Sequence, residues 1–113
     1  MDFVKENHSK VLEFKNLVEY HKGSIVSKSI IDDKAGRITL FAFDKGEKLS
    51  PHTSPYNALV QIVEGMGEIV IDNKPFQIKE GEFILMPKNI IHAVNAHEPF
   101  KMLLTLIKST IPL

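Results

Sequence analysis

GEKLSPHTSPYNALVQIVEG, residues 46–65, places a histidine in a turn between two prolines and then runs directly into an apolar strand. A glycine stands at each end of this stretch, at Gly46 and Gly65. Glycine reaches positive φ at little cost, so each one suits a point where a strand ends and the chain reverses. The stretch therefore predicts a strand bounded by turns, with His52 as a candidate site residue beside it.

The same pattern of short apolar runs and tight turns continues on both sides. Val, Ile, Phe and Thr are concentrated in these runs, which favours β-structure. Strands are predicted at 24–31, 36–43, 57–63, 67–71, 76–79, 82–87, 92–96 and 100–108. Turn residues separate the runs, and in Asp72-Asn73-Lys74 the asparagine suits the positive φ of a hairpin turn. The sequence predicts an all-β protein.

The composition is that of a packed, soluble protein. With 113 residues the chain is long enough for one hydrophobic core and too short for two, so residues 1–113 are expected to form a single domain. Fourteen Lys and Arg balance 14 Asp and Glu, which leaves no excess positive charge for the phosphates of nucleic acid. No apolar run approaches the roughly 18 residues of a membrane-spanning helix. The first residues also lack the apolar segment of a signal peptide, so we expect a cytoplasmic protein that binds neither nucleic acid nor membrane.

The absence of cysteine from the sequence limits the chemistry. Disulfides, zinc-thiolate sites and thiol nucleophiles are all excluded. Any metal would have to be bound by imidazole, carboxylate, amide or water.

Residues 1–23 are interpreted as an amino-terminal extension to the β-domain at 24–108. Apolar side chains at positions 11, 12, 14, 17, 18 and 20 fit one helical turn or a kinked strand equally well. We predict extended structure here, because no residue looks able to cap a helix cleanly. The extension is expected to pack on the β-domain or on a partner.

Two predicted strands are apolar on nearly every residue. They are FILM at 83–86 and KMLLTLI at 101–107. Strands of this kind are covered on both faces, so a second apolar face must be buried. The simplest cover in so small a chain is a second copy, which predicts a homodimer. The alternative is that a loop or the amino-terminal segment covers this face within the same chain.

Two segments resemble the paired motifs of the cupin superfamily. The first motif is Gly, five residues, His-x-His, three or four residues, Glu, six residues and Gly, and residues 46–65 keep this spacing. The second is Gly, five residues, Pro-x-Gly, two residues, His, three residues and Asn, and residues 81–96 keep it too. Asn89 stands where cupins favour glycine, and asparagine also tolerates left-handed geometry. The resemblance implies a jelly-roll barrel, the double-stranded β-helix of RmlC-like cupins, over residues 24–108.

In metal-binding cupins, the resemblance implies three imidazoles and one carboxylate inside the barrel mouth. His52 and His92 stand at the first and last of these positions. Ser54 replaces the second histidine and Ala58 replaces the glutamate. Two neutral imidazoles without a carboxylate bind a first-row divalent ion weakly. Either His52 and His92 hold one divalent transition metal (Zn, Ni, Fe or Mn) loosely, or they line a metal-free polar pocket.

A third metal ligand would have to come from outside the motifs. His97 follows a turn and should face away from His92. Glu64 should point to solvent. Tyr56 could reach the mouth, although phenolate ligation is uncommon. His8 and His21 are interpreted as surface histidines.

Alternation along the strands predicts the remaining lining of the mouth. Met and aromatic side chains on these strands are expected to fill the core rather than contact a ligand. The predicted ligand pocket consists of His52, Ser54, Tyr56, Ala58, Val60, His92 and Val94. Such a pocket is an apolar cup with a few polar groups, which is typical of small-molecule sites.

These features favour a protein that binds a small, partly apolar molecule. The alternative is a metal-dependent cupin enzyme, either a dioxygenase or an isomerase or lyase. The two replaced ligands count against oxygen activation, which needs a firmly held redox metal. A metal-free isomerase could use His52 or His92 as a base, with Tyr56 as a candidate acid. The sensor half of a transcription regulator is a third possibility, but no helix-turn-helix segment is present in the sequence.

Overall fold

The structure, a computed structural model, describes residues 2–108. Two short helical elements come first, α1 (Phe3–Asn7) and a 3₁₀ turn (Phe14–Asn16). Neither is long and apolar enough to cross a membrane. The strands that follow are β1 (Ile25–Asp32), β2 (Gly36–Phe43), β3 (Lys48–His52), β4 (Asn57–Glu64), β5 (Met66–Ile71), β6 (Lys74–Lys79), β7 (Phe83–Met86), β8 (His92–Asn95) and β9 (Phe100–Ile107).

The strands form two antiparallel sheets packed around one interior. One sheet has the order β1-β2-β9-β4-β7 and the other the order β3-β8-β5-β6. Strands that are distant in sequence lie side by side in both sheets, which is the pattern of a jelly roll. The predicted all-β jelly-roll fold is confirmed.

One end of the barrel interior is closed, and it is called the sealed end below. It is formed by Phe43, Ile62, Ile69 and Phe100, none of which is exposed to solvent. The rings of Phe43 and Phe100 stack with centroids 4.7 Å apart and planes 6° apart. Each of these side chains faces inward because alternate residues of a strand point to the same face.

Backbone conformations at the turns agree with the sequence analysis. Asn73 has a φ of 66° and Asn89 a φ of 64°, as predicted for the hairpin and for the second motif. Gly65 has a φ of 78°, and a Cβ atom there would lie 2.7 Å from the carbonyl oxygen of Pro99. Glycine is needed at this position both for the left-handed backbone and for the close approach of the next strand.

The prediction of extended structure for the whole amino-terminal segment is wrong. Asp2 caps helix α1, because its carboxylate accepts hydrogen bonds from the backbone N–H groups of Val4 and Lys5. Aspartate at this position satisfies donors that a short helix leaves unpaired. A 3₁₀ turn interrupts the segment again at Phe14–Asn16.

The end of the amino-terminal segment covers part of the outer face of the five-stranded sheet. Val18 is buried there in a second core with Leu40, Ala42 and Leu103. Strand β9 is apolar on both faces, and its outer face is therefore covered here by the amino-terminal segment of the same chain. This was one of the two alternatives in the sequence analysis.

A buried lysine fastens this segment to the sheet. The Lys101 ammonium group donates a hydrogen bond of 2.6 Å to the carbonyl oxygen of Lys15 and lies 3.7 Å from a carboxylate oxygen of Glu64. It also lies 4.9 Å from the centre of the Tyr20 ring. The Tyr20 hydroxyl donates to Glu64 at 2.8 Å, and its burial, followed by this bond, raises the pKa of Tyr20. Glu64 was predicted to point to solvent; instead its carboxylate is partly buried and contacts Tyr20 and Lys101.

Candidate functional site

A β-bulge in strand β3 turns His52 towards His92. Leu49 pairs with Val94 and His52 pairs with His92, so three residues of β3 advance over two of β8. The extra residue re-aims the side chain, which is a common use of bulges. His52 therefore shares the inward face with Leu49, although simple alternation from Leu49 would have pointed it outward.

The sequence analysis assigned His52 to a turn, whereas the structure places it at the end of a strand. Pro51 lies within β3, which is an edge strand of its sheet. Proline is tolerated at an edge or a bulge because no ladder hydrogen bond is lost there. Proline near the histidine was therefore a misleading signal for a turn.

The two candidate histidines form a close pair. Their ring centroids are 4.3 Å apart, and the ring planes are inclined by 70°. His52 is exposed, whereas His92 is buried. The two motifs, which are distant in sequence, are thus brought together at one point, as the resemblance implied.

Hydrogen bonds to the backbone fix the proton positions on both rings. The Nδ1 atom of His52 lies 2.8 Å from the carbonyl oxygen of Ser50, and the Nδ1 atom of His92 lies 3.2 Å from that of Ile90. A carbonyl oxygen only accepts, so each Nδ1 carries a hydrogen and donates. In the neutral tautomer this leaves the Nε2 lone pair of each ring free.

The environment of His92 favours its neutral form. Burial lowers the pKa of His92 first of all, and the nearby His52 lowers it further. The hydrogen bond to the Ile90 carbonyl raises the pKa of His92, but the pKa remains lowered overall. Desolvation penalises the charged imidazolium because a buried ring loses its contacts with water.

The histidine pair lies at the end of the barrel opposite the sealed end. Ile71 pairs with His92 on the neighbouring strand β5, and Leu106 pairs with Ala58 at the start of β4. Ile71, Leu104 and Leu106 pack on the main core but remain partly exposed. The name open end is used below for these three side chains together with His52 and His92.

Two loops close around the rim of the open end. The N–H of Asn89 donates to the carbonyl oxygen of Ser54 at 2.7 Å, and the N–H of Lys88 donates to the Asn57 side chain at 3.0 Å. These bonds tie the loop after His52 to the loop before His92. The apolar side chains of Ile90 and Ile91, just before His92, are exposed beside this rim.

The other predicted pocket residues fall into two groups. Ser54 and Tyr56 lie in the rim loop, where the Ser54 hydroxyl accepts a hydrogen bond from the N–H of Tyr56 at 3.2 Å. Ala58, Val60 and Val94 belong to the main core beneath the histidines. Contact of these residues with a ligand stays a prediction.

Sequence reasoning missed all three apolar side chains of the open end, Ile71, Leu104 and Leu106. Their positions follow from strand pairing between distant parts of the chain. The signal that could have found Leu104 and Leu106 is the inward alternation that begins at Phe100 and Met102 on the same strand.

The donor set at the open end consists of two imidazoles. Among residues 2–108, no three or more His, Cys, Asp or Glu side chains come together in a way that could hold a metal ion. His97, which was expected to face away from His92, lies on the outer surface, with its Nε2 atom 2.9 Å from the carboxylate of Glu68. The residues present do not fit a resident metal held by three imidazoles and a carboxylate.

Comparison with known proteins agrees with the fold and with the two motifs. The family model described as the cupin domain matches residues 39–106. The chain belongs to the cupin family. Among curated proteins, none matches this cupin.

Several solved structures are similar to this cupin. A conserved protein of unknown function from Streptococcus pyogenes is 36% identical, with a TM-score of 0.87, over 92% of this chain and 91% of the other. A cupin 2 conserved barrel domain protein from Leptotrichia buccalis is 45% identical, with a TM-score of 0.81, over 83% of this chain. This cupin spans only 46% of that second protein. A cupin superfamily protein from Desulfitobacterium hafniense, 24% identical with a TM-score of 0.85 over 90% of this chain and 94% of the other, has the same fold.

Proposed function

We propose that this cupin binds a small molecule at the open end of its barrel. The observation that carries the proposal is the histidine pair, whose ring centroids lie 4.3 Å apart with both Nδ1 atoms bonded to backbone carbonyls. Two free Nε2 atoms thus lie beside partly exposed apolar side chains. A few placed polar groups on an apolar wall are typical of sites for small molecules.

The chemistry of the pair indicates which ligands would suit it. A neutral imidazole with a protonated Nδ1 accepts a hydrogen bond at Nε2. Burial favours this neutral form at His92 by lowering its pKa. The ligand we expect therefore has an apolar body and carries hydroxyl, amino or amide groups that can donate to the two rings.

A weakly held divalent ion is the second part of the proposal. The two Nε2 atoms could occupy two positions around Zn, Ni, Fe or Mn, with the remaining positions filled by water or by the ligand. Such an ion would exchange readily, because two imidazoles provide too few ligands and no negative charge. It would assist ligand binding rather than act as a resident cofactor.

Catalysis is the alternative function, and one observation favours it. A histidine whose pKa is lowered by burial, as for His92, is neutral at pH 7 and can accept a proton. A metal-free isomerase would use such a base, with Tyr56 as a candidate acid. A metal-dependent dioxygenase would need ligands beyond the histidine pair.

The binding proposal is tested by a thermal-shift screen of small metabolites, followed by calorimetry on the compounds that bind. We expect His52→Ala and His92→Ala each to weaken binding at least about 10-fold, because each removes one acceptor. The matched control is His21→Ala, which removes an exposed histidine outside the open end. Equal binding by the wild type and by the His52→Ala, His92→Ala double variant would refute the proposal.

A glutamine variant separates hydrogen bonding from metal binding. In His92→Gln the side-chain amide oxygen can take over the acceptor role of Nε2, but an amide is a poor ligand for a transition metal. If the ligand binds directly to the histidines, His92→Gln should retain more affinity than His92→Ala. If binding depends on an ion, both variants should lose it, and elemental analysis of untagged wild-type protein should show metal that both variants lack.

A further inference from the structure

The loop that precedes His92, residues 87–91, controls how this histidine presents its ring. The Nδ1 atom of His92 lies 3.2 Å from the carbonyl oxygen of Ile90, which belongs to this loop. In a neutral imidazole one ring nitrogen carries a hydrogen and the other accepts a hydrogen bond. The position of the Ile90 carbonyl therefore favours the tautomer in which Nε2 of His92 is the acceptor.

Backbone hydrogen bonds hold the 87–91 loop on two sides. The N–H of Asn89 donates to the carbonyl oxygen of Ser54 at 2.7 Å, which ties the loop to the turn between β3 and β4. The N–H of Asp72 donates to the carbonyl oxygen of Ile91 at 2.9 Å, which ties it to the hairpin between β5 and β6. Both bonds join backbone groups, so replacing a side chain removes neither of them directly.

A further bond to the same loop depends on a side chain. The pairing of β4 with β7 extends as far as Ala58 and Met86. The next residue after β7 is Pro87, which has no N–H with which to continue the ladder. The N–H of Lys88 donates instead to the side-chain oxygen of Asn57 at 3.0 Å. Asn57 thus attaches the beginning of the loop to strand β4.

Asn57 is well placed to act as an anchor. It is the first residue of β4, and it pairs with Ile107 on β9, the central strand of the five-stranded sheet. A side chain on a paired strand is held more precisely than one on a loop. The N–H that Asn57 binds is two residues before the Ile90 carbonyl, so a shift of the chain at Lys88 would also move that carbonyl.

We propose that Asn57 is a positioning residue for the histidine pair: by holding Lys88, it keeps the Ile90 carbonyl in place to accept from Nδ1 of His92, which leaves Nε2 of His92 for a ligand. This inference rests on the proposed function, in which Nε2 accepts from the ligand. Asn57 is exposed, so water competes for the bond. A hydrogen bond of this kind shifts an equilibrium about 3- to 10-fold. Such a shift is enough to change the tautomer populations of one ring while the barrel stays folded.

The test is nitrogen NMR of the isotope-labelled full chain at pH 8, above the ordinary histidine pKa of about 6.5. A ring fixed in one tautomer gives two widely separated nitrogen signals, and exchange between tautomers brings the two signals together. We expect Asn57→Ala to reduce the separation for His92 by roughly a quarter or more, because the Ile90 carbonyl is held less firmly.

His52 provides an internal comparison in the same spectrum. Its Nδ1 atom lies 2.8 Å from the carbonyl oxygen of Ser50, which belongs to β3 and not to the 87–91 loop. The two ring signals of His52 should therefore keep their separation in Asn57→Ala. The matched control is Asn16→Ala, which removes an exposed asparagine outside the open end and should change neither histidine.

A conservative variant tests whether the acceptor itself matters. In Asn57→Asp a carboxylate oxygen can accept from the N–H of Lys88 as the amide oxygen does. We expect this variant to restore the wild-type separation of the His92 signals. Thermal melts of Asn57→Ala and Asn57→Asp establish that both variants are folded.

Three results would overturn the proposal. Unchanged His92 signals in Asn57→Ala would show that the backbone bonds position the loop without this side chain. An equal change at His52 would indicate a general loosening of the barrel. A failure of Asn57→Asp to restore the His92 signals would show that the acceptor is not what matters. The test uses no ligand, so its failure is distinct from that of the binding proposal, which depends on the double histidine variant.

Discussion

The sealed and open ends of the barrel interior are built from the same strands but differ in what they bury. At the sealed end, β9 supplies Phe100, which is fully buried and stacked on Phe43. At the open end the same strand supplies Leu106, which remains partly exposed, and β8 supplies His92. The comparison indicates that packing energy is concentrated at one end, while polar groups and accessible apolar surface are concentrated at the other.

The largest loss of stability is expected from Phe100→Ala at the sealed end. Removing a buried ring leaves a cavity next to Phe43, and such substitutions cost about 3–5 kcal/mol of unfolding free energy. Urea unfolding measures the loss. A cost below about 1 kcal/mol would contradict the view that this end carries the packing energy.

Adding a side-chain atom at the sealed end should also destabilise the fold. A Cβ at Gly67 would lie 2.6 Å from the ring of Phe100, so Gly67→Ala should cost about 1–3 kcal/mol through overpacking. The matched test combines it with Phe100→Leu, whose smaller side chain leaves room. Thermal unfolding of both single variants and the double variant should show a smaller penalty for Gly67→Ala in the Phe100→Leu background.

Truncation at the open end should affect stability less and binding more. Leu106→Ala removes a partly exposed side chain, so it should cost about 2 kcal/mol or less, below the cost of Phe100→Ala. Once a ligand is known, calorimetry should show weaker binding by Leu106→Ala than by the control Ile31→Ala. Equal ligand affinity in the two variants would remove Leu106 from the site.

Acid should destabilise the open end in a defined pH range. Because burial lowers the pKa of His92 below its ordinary value of 6.5, the unfolded chain binds a proton that the folded chain resists. The contribution of His92 is complete above pH 6.5 and is lost as the pH falls below it. His92→Gln should flatten this part of the stability profile in urea unfolding, whereas His21→Gln should leave the profile unchanged.

Glu68 lies on the outer side of the four-stranded sheet, beside the sealed end. Its ionisation should also make the stability of the fold depend on pH, but at lower pH and more weakly than that of His92. Its carboxylate accepts hydrogen bonds from Asn95 and Gln77 and pairs with His97, and the bonds to Asn95 and His97 contribute most to lowering its pKa below 4.5. A lowered carboxyl pKa stabilises the fold above the unfolded value, and the benefit is lost as the pH falls below about 4.5.

The Glu68 effect is measured as the difference between Glu68→Gln and the wild type in urea unfolding from pH 6 to pH 3. The variant should lose less stability than the wild type over the acid part of this range. Glu80→Gln, an exposed substitution, provides the control. Parallel profiles for Glu68→Gln and the wild type would show that these hydrogen bonds do not favour the ionised form in the folded state.

Local signals in the sequence predicted much of the fold. Asn73, Asn89 and Gly65 mark turns because each of these residue types tolerates positive φ, and the structure confirms it at all three. The apolar runs predicted most of the strands for a similar reason, since alternation and β-branched side chains act within a few residues. Asp2 was a local signal of the same kind, and it was overlooked.

The site was predicted only as far as the family resemblance reaches. The motif spacing indicated that His52 and His92 would meet, and they do. It gave no sign of the bulge between Leu49 and His52, because a bulge is defined by the strand opposite. It also gave no sign that Lys101 would reach Lys15 from 86 positions away.

By itself the sequence determined the all-β class, the positions of the turns and the two histidines, because these depend on backbone preferences and on spacing along the chain. Only the tertiary structure decided which way each histidine ring faces, which ring nitrogen can accept a hydrogen bond and which part of the outer face of the five-stranded sheet the amino-terminal segment covers. Those properties depend on pairing between strands that are far apart in sequence, since register and burial are set by the partner strand as much as by the strand itself.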